Sequence, residues 1–216
     1  YELNTTTDTA GAGFYNFTVY ANDTENNWAT PALDNFTVTP APASIGLYLN
    51  GSADNITVDQ FSPVNHTAQL LKPSGSADLI QVLQEGVVIA NSSSPATNIS
   101  SYNSVGSYNI TASFAGNQNY SATSQTYFVT VMDAEPPVIN DANATPQSQV
   151  YGRNITLYAN VTDNVAVDEV YVYFDGNNNS MTPQGGSLWS YTFNTSLETT
   201  GAGFYNYTIY ANDTRN

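Results

Sequence analysis

The 216-residue chain contains no cysteine, one histidine (His66) and only three basic residues, Lys72, Arg153 and Arg215. The absence of cysteine excludes disulfide scaffolds, thiolate-ligated zinc and iron–sulfur sites, and cysteine nucleophiles. Because nucleic acids and anionic membranes are bound through Lys and Arg, neither is expected as a partner of this chain. No apolar run approaches the ~20 residues of a membrane-spanning helix, so no direct membrane insertion is expected in this segment.

Charge of either sign is scarce in this sequence. Eighteen acidic residues give a net charge of −15, but charged residues are only 10% of the chain, against roughly a quarter in an ordinary soluble domain. The acidity therefore reflects missing Lys and Arg rather than abundant Asp and Glu. The chain instead contains 27 Asn, 26 Thr and 20 Ser, together with 16 Tyr and 9 Phe. A neutral composition rich in aromatic residues and poor in helix formers predicts an all-β fold.

An internal repeat is the most informative feature of the sequence. The segment Tyr1–Asn26 returns as Tyr191–Asn216 at a constant offset of 190 residues, without a gap. A weaker copy, Gly106–Gly116, lies between them, and the equivalent glycines are 93 and 97 residues apart. A period of ~100 residues in an all-β chain is typical of tandem immunoglobulin-like β-sandwiches.

Each copy of the repeat predicts the same strand. The shared pattern is Gly-x-Tyr-Asn-x-Thr followed by alternating side chains, which indicates a β-strand with one buried face. A tyrosine two residues after the glycine at the start of a late strand predicts a tyrosine corner, here at Tyr15, Tyr108 and Tyr205. We therefore assign the three segments to strand F of three successive sandwiches, bounded as 1–40, 41–133 and 134–216. The proline-rich joints at 39–44 and 133–137 favour an extended rod.

Two parts of the chain resemble known families. The segment GSYNITASFAGNQNYSATSQTYFVTV (106–131) resembles bacterial Ig-like repeats, and PPVI, NVTDNVAVDEVYVYFDG and GFYNYTIYANDTRN (within 136–216) resemble a second Ig-like type. The resemblance implies the tandem repeats of large archaeal and bacterial cell-surface proteins, including S-layer, filament and adhesin proteins. Such modules are mostly spacers and stalks, so it implies a structural rather than an enzymatic role.

The two ends of the chain are expected to be incomplete domains. Segment 1–40 supplies only strands E to G, and segment 134–216 stops after strand F, so Gly203–Ala211 is expected to be an unpaired edge. Either another subunit donates the missing strand, or the chain is a window of a longer repetitive polypeptide. The second explanation is simpler, because Tyr1–Asn26 duplicates strands that a recipient already has. Both predict that the partners are other copies or flanking repeats of the same protein.

Sites for N-glycosylation are unusually dense. Asn-x-Ser/Thr occurs 18 times, where composition alone predicts roughly six. Alternating strands place two polar residues at i and i+2 anyway, but Asn need not fill the first position. We therefore predict covalent N-glycans on an extracellular surface. The acceptors are Asn4, Asn16, Asn22, Asn35, Asn50, Asn55, Asn65, Asn91, Asn98, Asn109, Asn119, Asn143, Asn154, Asn160, Asn178, Asn194, Asn206 and Asn212.

Acidic residues near the second joint suggest a metal site. Asp133 and Glu135 lie in the joint, and Asp163 follows a predicted strand that returns towards it. Oxygen ligands of this kind bind Ca²⁺ and stiffen tandem sandwiches, although exposed acidic turns without an ion are common. Asp23 and Asp213, in the two ANDT turns, are instead expected to form Asx turns.

Catalytic arrangements are weak throughout. The adjacent Asp168 and Glu169 point to opposite faces of a strand, which is wrong for two carboxylates acting on one glycosidic bond. His66 is expected to be a polar residue at a strand edge, and no enzyme is predicted.

Aromatic residues offer an alternative function. Trp28 and Trp189, with Tyr20 and Tyr210, could form a patch for lateral packing or for carbohydrate stacking, as in an adhesin or carbohydrate-binding stalk. Trp189 shares a strand face with Tyr191 and is expected to lie in a core.

Overall fold

The computed structural model describes residue 4 and residues 8–214. The chain divides into two compact units, Tyr1–Val131 and Met132–Asn216. The proposed strand E at the start of the chain falls largely outside the described residues. The division of the first unit into separate domains at residue 40 stays a prediction.

The first unit contains a two-stranded hairpin followed by a β-sandwich. The N-terminal hairpin is formed by β1 (Gly13–Val19) and β2 (Ala32–Val38). In the middle sandwich, one sheet has the order β3-β5-β8 and the other the order β4-β10-β9-β6-β7. The strands are β3 (Ser44–Leu49), β4 (Ile56–Asp59), β5 (Pro63–Lys72), β6 (Leu79–Gln84), β7 (Val87–Ser93), β8 (Ala96–Ser101), β9 (Gly106–Phe114) and β10 (Thr123–Met132).

The second unit is a sandwich of two smaller sheets, which we call the C-terminal sandwich. Their orders are β11-β12-β16-β15 and β14-β13-β17. Alternating residues of β12 and β13 form its core with Phe193 of β16. The strands are β11 (Val138–Thr145), β12 (Asn154–Thr162), β13 (Val167–Phe174), β14 (Asn177–Ser180), β15 (Thr182–Gly185), β16 (Leu188–Asn194) and β17 (Tyr207–Asp213). All-β tandem immunoglobulin-like sandwiches were expected, and this is the fold observed.

The three predicted tyrosine corners are all confirmed. In each copy the tyrosine hydroxyl donates a hydrogen bond to the backbone carbonyl four residues earlier. The distances are 2.5 Å from Tyr15 to Gly11, 2.9 Å from Tyr108 to Ser104, and 2.8 Å from Tyr205 to Gly201. The repeat therefore encodes the same local anchor for strand F each time, including in β1 and β17.

The last copy of strand F begins later than predicted. β17 starts at Tyr207, whereas its counterpart β1 already starts at Gly13, which is equivalent to Gly203. In β1, the first four residues pair with β2. The ladder between β13 and β17 ends at the pair Phe174 and Tyr207, so residues 203–206 have no strand to pair with among the described residues.

The sequence predicted His66 at a strand edge, but in the structure it lies in the middle of a sheet. Its strand, β5, lies between β3 and β8, and its side chain is fully buried. His66 Nε2 lies 2.9 Å from the hydroxyl oxygen of Tyr102, which is also buried. Burial lowers the pKa of His66 below its ordinary value, because the charged imidazolium loses its hydration.

We expect the middle sandwich to lose stability as the pH falls below the unfolded pKa of histidine, ~6.5. Because the pKa of His66 is lowered in the folded protein, its contribution is complete above ~6.5 and is lost as the pH falls towards the folded value. Calorimetric Tm measurements across this range test the effect. The variant His66→Phe should be less stable throughout, since Tyr102 loses its partner, but should lack this part of the pH dependence. Equal pH profiles would contradict the prediction.

Candidate functional site

Three aspartates converge in the C-terminal sandwich. Asp133 precedes β11, Asp163 follows β12, and Asp213 is the last residue of β17. One carboxylate oxygen from each lies within 4.8 Å of the others. Asp133 and Asp213 are only 7% and 1% exposed. We call these three residues the carboxylate cluster.

Hydrogen bonds orient the carboxylate cluster. Asp163 Oδ1 accepts bonds from the backbone N–H groups of Val165 (2.8 Å) and Ala166 (2.9 Å). Its second oxygen, Oδ2, is buried and accepts no hydrogen bond from any described residue. Asp133 Oδ1 accepts a bond from the side-chain amide of Asn164 at 3.2 Å. Three convergent carboxylates, partly shielded from water, are a ligand set suited to a hard divalent cation such as Ca²⁺.

The structure brings together only some of the acidic residues proposed from the sequence, and the metal site itself stays a prediction. Asp133 and Asp163 meet as expected, but the third member of the cluster is Asp213 rather than Glu135. The expected Asx turn at Asp213 stays a prediction, because residues 215–216 lie outside the described residues. The same expectation is confirmed at the equivalent Asp23, whose Oδ1 accepts bonds from the backbone N–H groups of Glu25 and Asn27. The bond from the Asn27 side chain is the main reason why the pKa of Asp23 is lowered.

The glycosylation acceptors lie towards solvent. Fourteen of the 18 asparagines are exposed and four are half-buried, namely Asn98, Asn109, Asn194 and Asn212, so none is buried. Two of these four use the amide nitrogen that would carry the sugar. Asn98 Nδ2 donates to the carbonyl of Ile89 at 2.9 Å, and Asn194 Nδ2 donates to Gly152 O at 3.3 Å and Asn154 Oδ1 at 3.0 Å.

In the C-terminal sandwich, Tyr210 lies beside two tyrosines that were not part of the predicted aromatic patch. Trp28 and Tyr20 are 63% and 65% exposed, whereas Trp189 packs against the C-terminal core, as expected. Tyr210 lies on an outer sheet face with Tyr171, which pairs with it across β13 and β17, and Tyr173. With Asn178, these three tyrosines line a shallow depression of about 360 Å³. The alternation of tyrosine with buried residues in the YVYF segment of β13 could have indicated from the sequence that Tyr171 and Tyr173 share one face.

One segment of the chain matches a protein-family model. Residues 137–209, which span most of the C-terminal sandwich, match the family described as "Bacterial Ig domain". This segment is similar to a bacterial Ig domain. The match indicates no enzyme family, and it confirms the resemblance to bacterial Ig-like repeats inferred from the sequence. No curated protein matches the chain significantly.

A solved structure indicates the same fold over nearly the whole chain, and not only over residues 137–209. Three tandem Ig domains of titin align with 94% of this chain and 70% of theirs, at 17% identity and a TM-score of 0.53. Fibronectin(III)-like modules of Clostridium thermocellum CbhA align with 76% of this chain and 84% of theirs, at 16% identity, but their TM-score of 0.34 is too low to support an argument. None of the described residues forms a helix capable of crossing a membrane.

Proposed function

We propose that this chain is a structural, N-glycosylated part of an extracellular cell-surface protein. In this proposal its tandem Ig-like domains build a rod, a filament or a surface-layer lattice. The observation that carries it is the placement of the glycosylation acceptors, which occupy exposed or half-exposed positions in both units. A chain with so few charged side chains needs another source of solvation. Surface glycans would supply it and would also protect exposed loops from proteases.

Mass spectrometry and imaging of the native protein test this function. We expect an intact mass well above the 23.2 kDa of the polypeptide for each copy of this segment. Negative-stain imaging of native material should show filaments or a two-dimensional lattice. An unmodified mass together with isolated soluble particles would contradict the proposal.

Glycan occupancy should follow the exposure of each asparagine. Asn16 and Asn206 are exposed at equivalent positions of the repeat, and both are expected to be modified. Asn98 and Asn194 should be modified much less, because they are half-buried and their amide nitrogens already donate hydrogen bonds. Glycopeptide mapping of native material measures these fractions. Equal occupancy at all four sites would contradict the prediction.

Ca²⁺ binding by the carboxylate cluster is part of the same proposal. A cation would join the segment before β11, the loop after β12 and the end of β17, and so would stiffen one end of the C-terminal sandwich. The buried Oδ2 of Asp163 supports this, because a carboxylate oxygen removed from water needs a positive partner or a hydrogen bond.

Carbohydrate binding is a second candidate function. The depression lined by Tyr171, Tyr173 and Tyr210 supports it, because sugars stack on exposed aromatic rings. On a glycan array, binding should then be lost in the variant Tyr173→Ala and retained in Tyr20→Ala, whose tyrosine is more exposed, at 65% against 46% for Tyr173, but lies outside the depression. Absence of any array signal would leave the structural role as the better explanation.

A further inference from the structure

A glycosylation acceptor lines the tyrosine depression of the C-terminal sandwich. The depression of about 360 Å³ is lined by Tyr171, Tyr173, Tyr210 and Asn178, and Asn178 begins an Asn-Asn-Ser acceptor. We call the three tyrosine rings the tyrosine face. Asn178 is exposed, so its side-chain amide is accessible for modification. A sugar attached there would start at the wall of an aromatic depression.

Strand pairing places the acceptor and the rings on one outer face of the sheet. Asn178 of β14 pairs with Tyr173 of β13, and Tyr171 of β13 pairs with Tyr210 of β17. The side chains of such a cross-strand pair point to the same side, with Cβ atoms ~5 Å apart. Val172, between the two tyrosines of β13, is fully buried, so the rings point away from the core. The first sugar on Asn178 would therefore lie beside Tyr173, and a further sugar would extend towards the other two rings.

The central ring of the tyrosine face is incompletely covered by protein. Tyr173 is 46% exposed, although its strand lies between β14 and β17. Its exposure therefore belongs to the outer face of the sheet and not to a sheet edge. Apolar surface in water is unfavourable, and an aromatic ring can pack against the C–H face of a sugar while the sugar hydroxyls stay hydrated. A glycan on this face would remove aromatic surface from water.

The middle sandwich has an acceptor on the corresponding strand but no aromatic face beside it. The registers of β6 with β9 and of β13 with β17 show that Gln81, Leu83 and Ser113 take the positions of the three tyrosines. The acceptor Asn91 of β7 pairs with Gln81 and is exposed like Asn178. The chain therefore holds two acceptors on corresponding strands, of which one lies beside aromatic rings and the other does not.

Covalent attachment favours the chain's own glycan over a dissolved saccharide. A free saccharide loses translational and rotational freedom when it binds, and stacking on a few rings contributes little free energy. A sugar held by Asn178 is instead present beside the rings at an effective concentration in the millimolar range. Contacts too weak to retain a dissolved sugar are therefore sufficient to retain an attached one.

We propose that the glycan on Asn178 folds back and packs on the tyrosine face. It would then cover side chains of β14, β13 and β17 together and stabilise the C-terminal sandwich, while closing the depression to saccharides from other molecules. This inference rests on the N-glycosylation of the proposed function and assigns one glycan a structural role.

Chemical modification of tyrosine tests whether the tyrosine face is covered. In the full chain, produced in cells that glycosylate it, nitration of Tyr173 should be about fivefold slower than in the variant Asn178→Gln, because a stacked ring is uncovered only part of the time. Tyr20 lies outside the depression and should react at the same rate in both chains. Peptide mass spectrometry measures the rates. Equal rates at Tyr173, with Asn178 glycosylated in the native chain, would overturn the proposal.

Thermal stability separates packing from simple shielding. Removing the glycan by Asn178→Gln should lower the Tm of the C-terminal sandwich by on the order of 5 °C. In a Tyr173→Thr chain, which keeps a residue suited to a strand, the same removal should leave the Tm unchanged. The control Asn91→Gln removes the acceptor that has no aromatic face and should leave the Tm of the middle sandwich unchanged. Equal Tm losses in the native and Tyr173→Thr chains would overturn the proposal.

The source of the sugar and the proposed function are tested separately. Array binding by the glycosylated native chain that is lost in Tyr173→Ala would assign the tyrosine face to a foreign saccharide and overturn this inference. An unmodified Asn178 in a chain that carries glycans elsewhere would reject this inference alone. A covered Tyr173 in glycosylated material that forms only isolated soluble particles would support this inference and reject the filament or lattice.

Discussion

Appending a copy of residues 27–40 after Asn216 is expected to raise the Tm of the C-terminal sandwich by about 10 °C or more. Asn216 corresponds to Asn26 in the repeat, so the added sequence continues strand F as it does at the start of the chain. The counterparts of Phe36 and Val38 would fill a cavity of about 470 Å³ beside β17. Each buried side chain contributes ~1.5–3 kcal/mol.

Calorimetry measures the stabilisation. The matched control carries Asp at the Phe36 counterpart and Ser at the Val38 counterpart of the added segment. We expect this control to restore the Tm of the unextended chain. An extension that leaves the Tm unchanged would show that the edge of β17 does not accept this strand.

Removing Ca²⁺ with a chelator is expected to lower the Tm of the C-terminal sandwich, with no direct effect on the middle sandwich. A ligand at 100 times its Kd stabilises the folded state by ~2.7 kcal/mol, which corresponds to a Tm shift on the order of 10 °C for a domain of this size. The physical reason is that Asp133, Asp163 and Asp213 converge and repel one another without a cation. Calorimetry of the full chain with and without millimolar Ca²⁺ measures the shift.

The variant Asp213→Asn separates a cation site from a merely structural cluster. In chelator it should raise the Tm of the C-terminal sandwich by relieving repulsion, whereas in Ca²⁺ it should lower the Tm relative to the native chain. The control Asp23→Asn changes the equivalent turn of the repeat, where the carboxylate is exposed and binds backbone N–H groups. The effect of this substitution on the Tm should be the same in chelator and in Ca²⁺. A native Tm that is the same in chelator and in Ca²⁺ would reject the site.

Local pattern was sufficient to predict the sandwich strands that carry the repeat. Gly-x-Tyr with alternation of period two defines a strand and its anchor within about ten residues, so Tyr15, Tyr108 and Tyr205 were assigned correctly. His66 was misplaced, although it shares the inward face of β5 with the buried Val64 and Ala68. Because histidine is polar, it was predicted at a strand edge despite this alternation. It can be buried because the Tyr102 hydroxyl is a buried hydrogen-bond partner.

The site depends on neighbours that a local pattern does not contain. Asp23 and Asp213 lie in the same ANDT sequence, yet one is exposed and the other buried. The difference arises because β17 ends beside Asp133 and Asp163, which come from distant parts of the chain. Glu135 was chosen instead of Asp213 because it is close in sequence to Asp133. Sequence separation is a poor guide to which carboxylates share a site.

The duplicated strand F also affects how the gene can change length. Recombination between the DNA encoding β1 and that encoding β17 would add or remove 190 residues and rejoin the strand in phase, because residues 13–19 and 203–209 are nearly identical. The junction would fall within a strand that keeps its glycine and its tyrosine corner. Each rejoined sandwich would keep its order of strands, because the crossover lies at equivalent points of the two copies. Related proteins can therefore differ by whole periods without losing a folded domain.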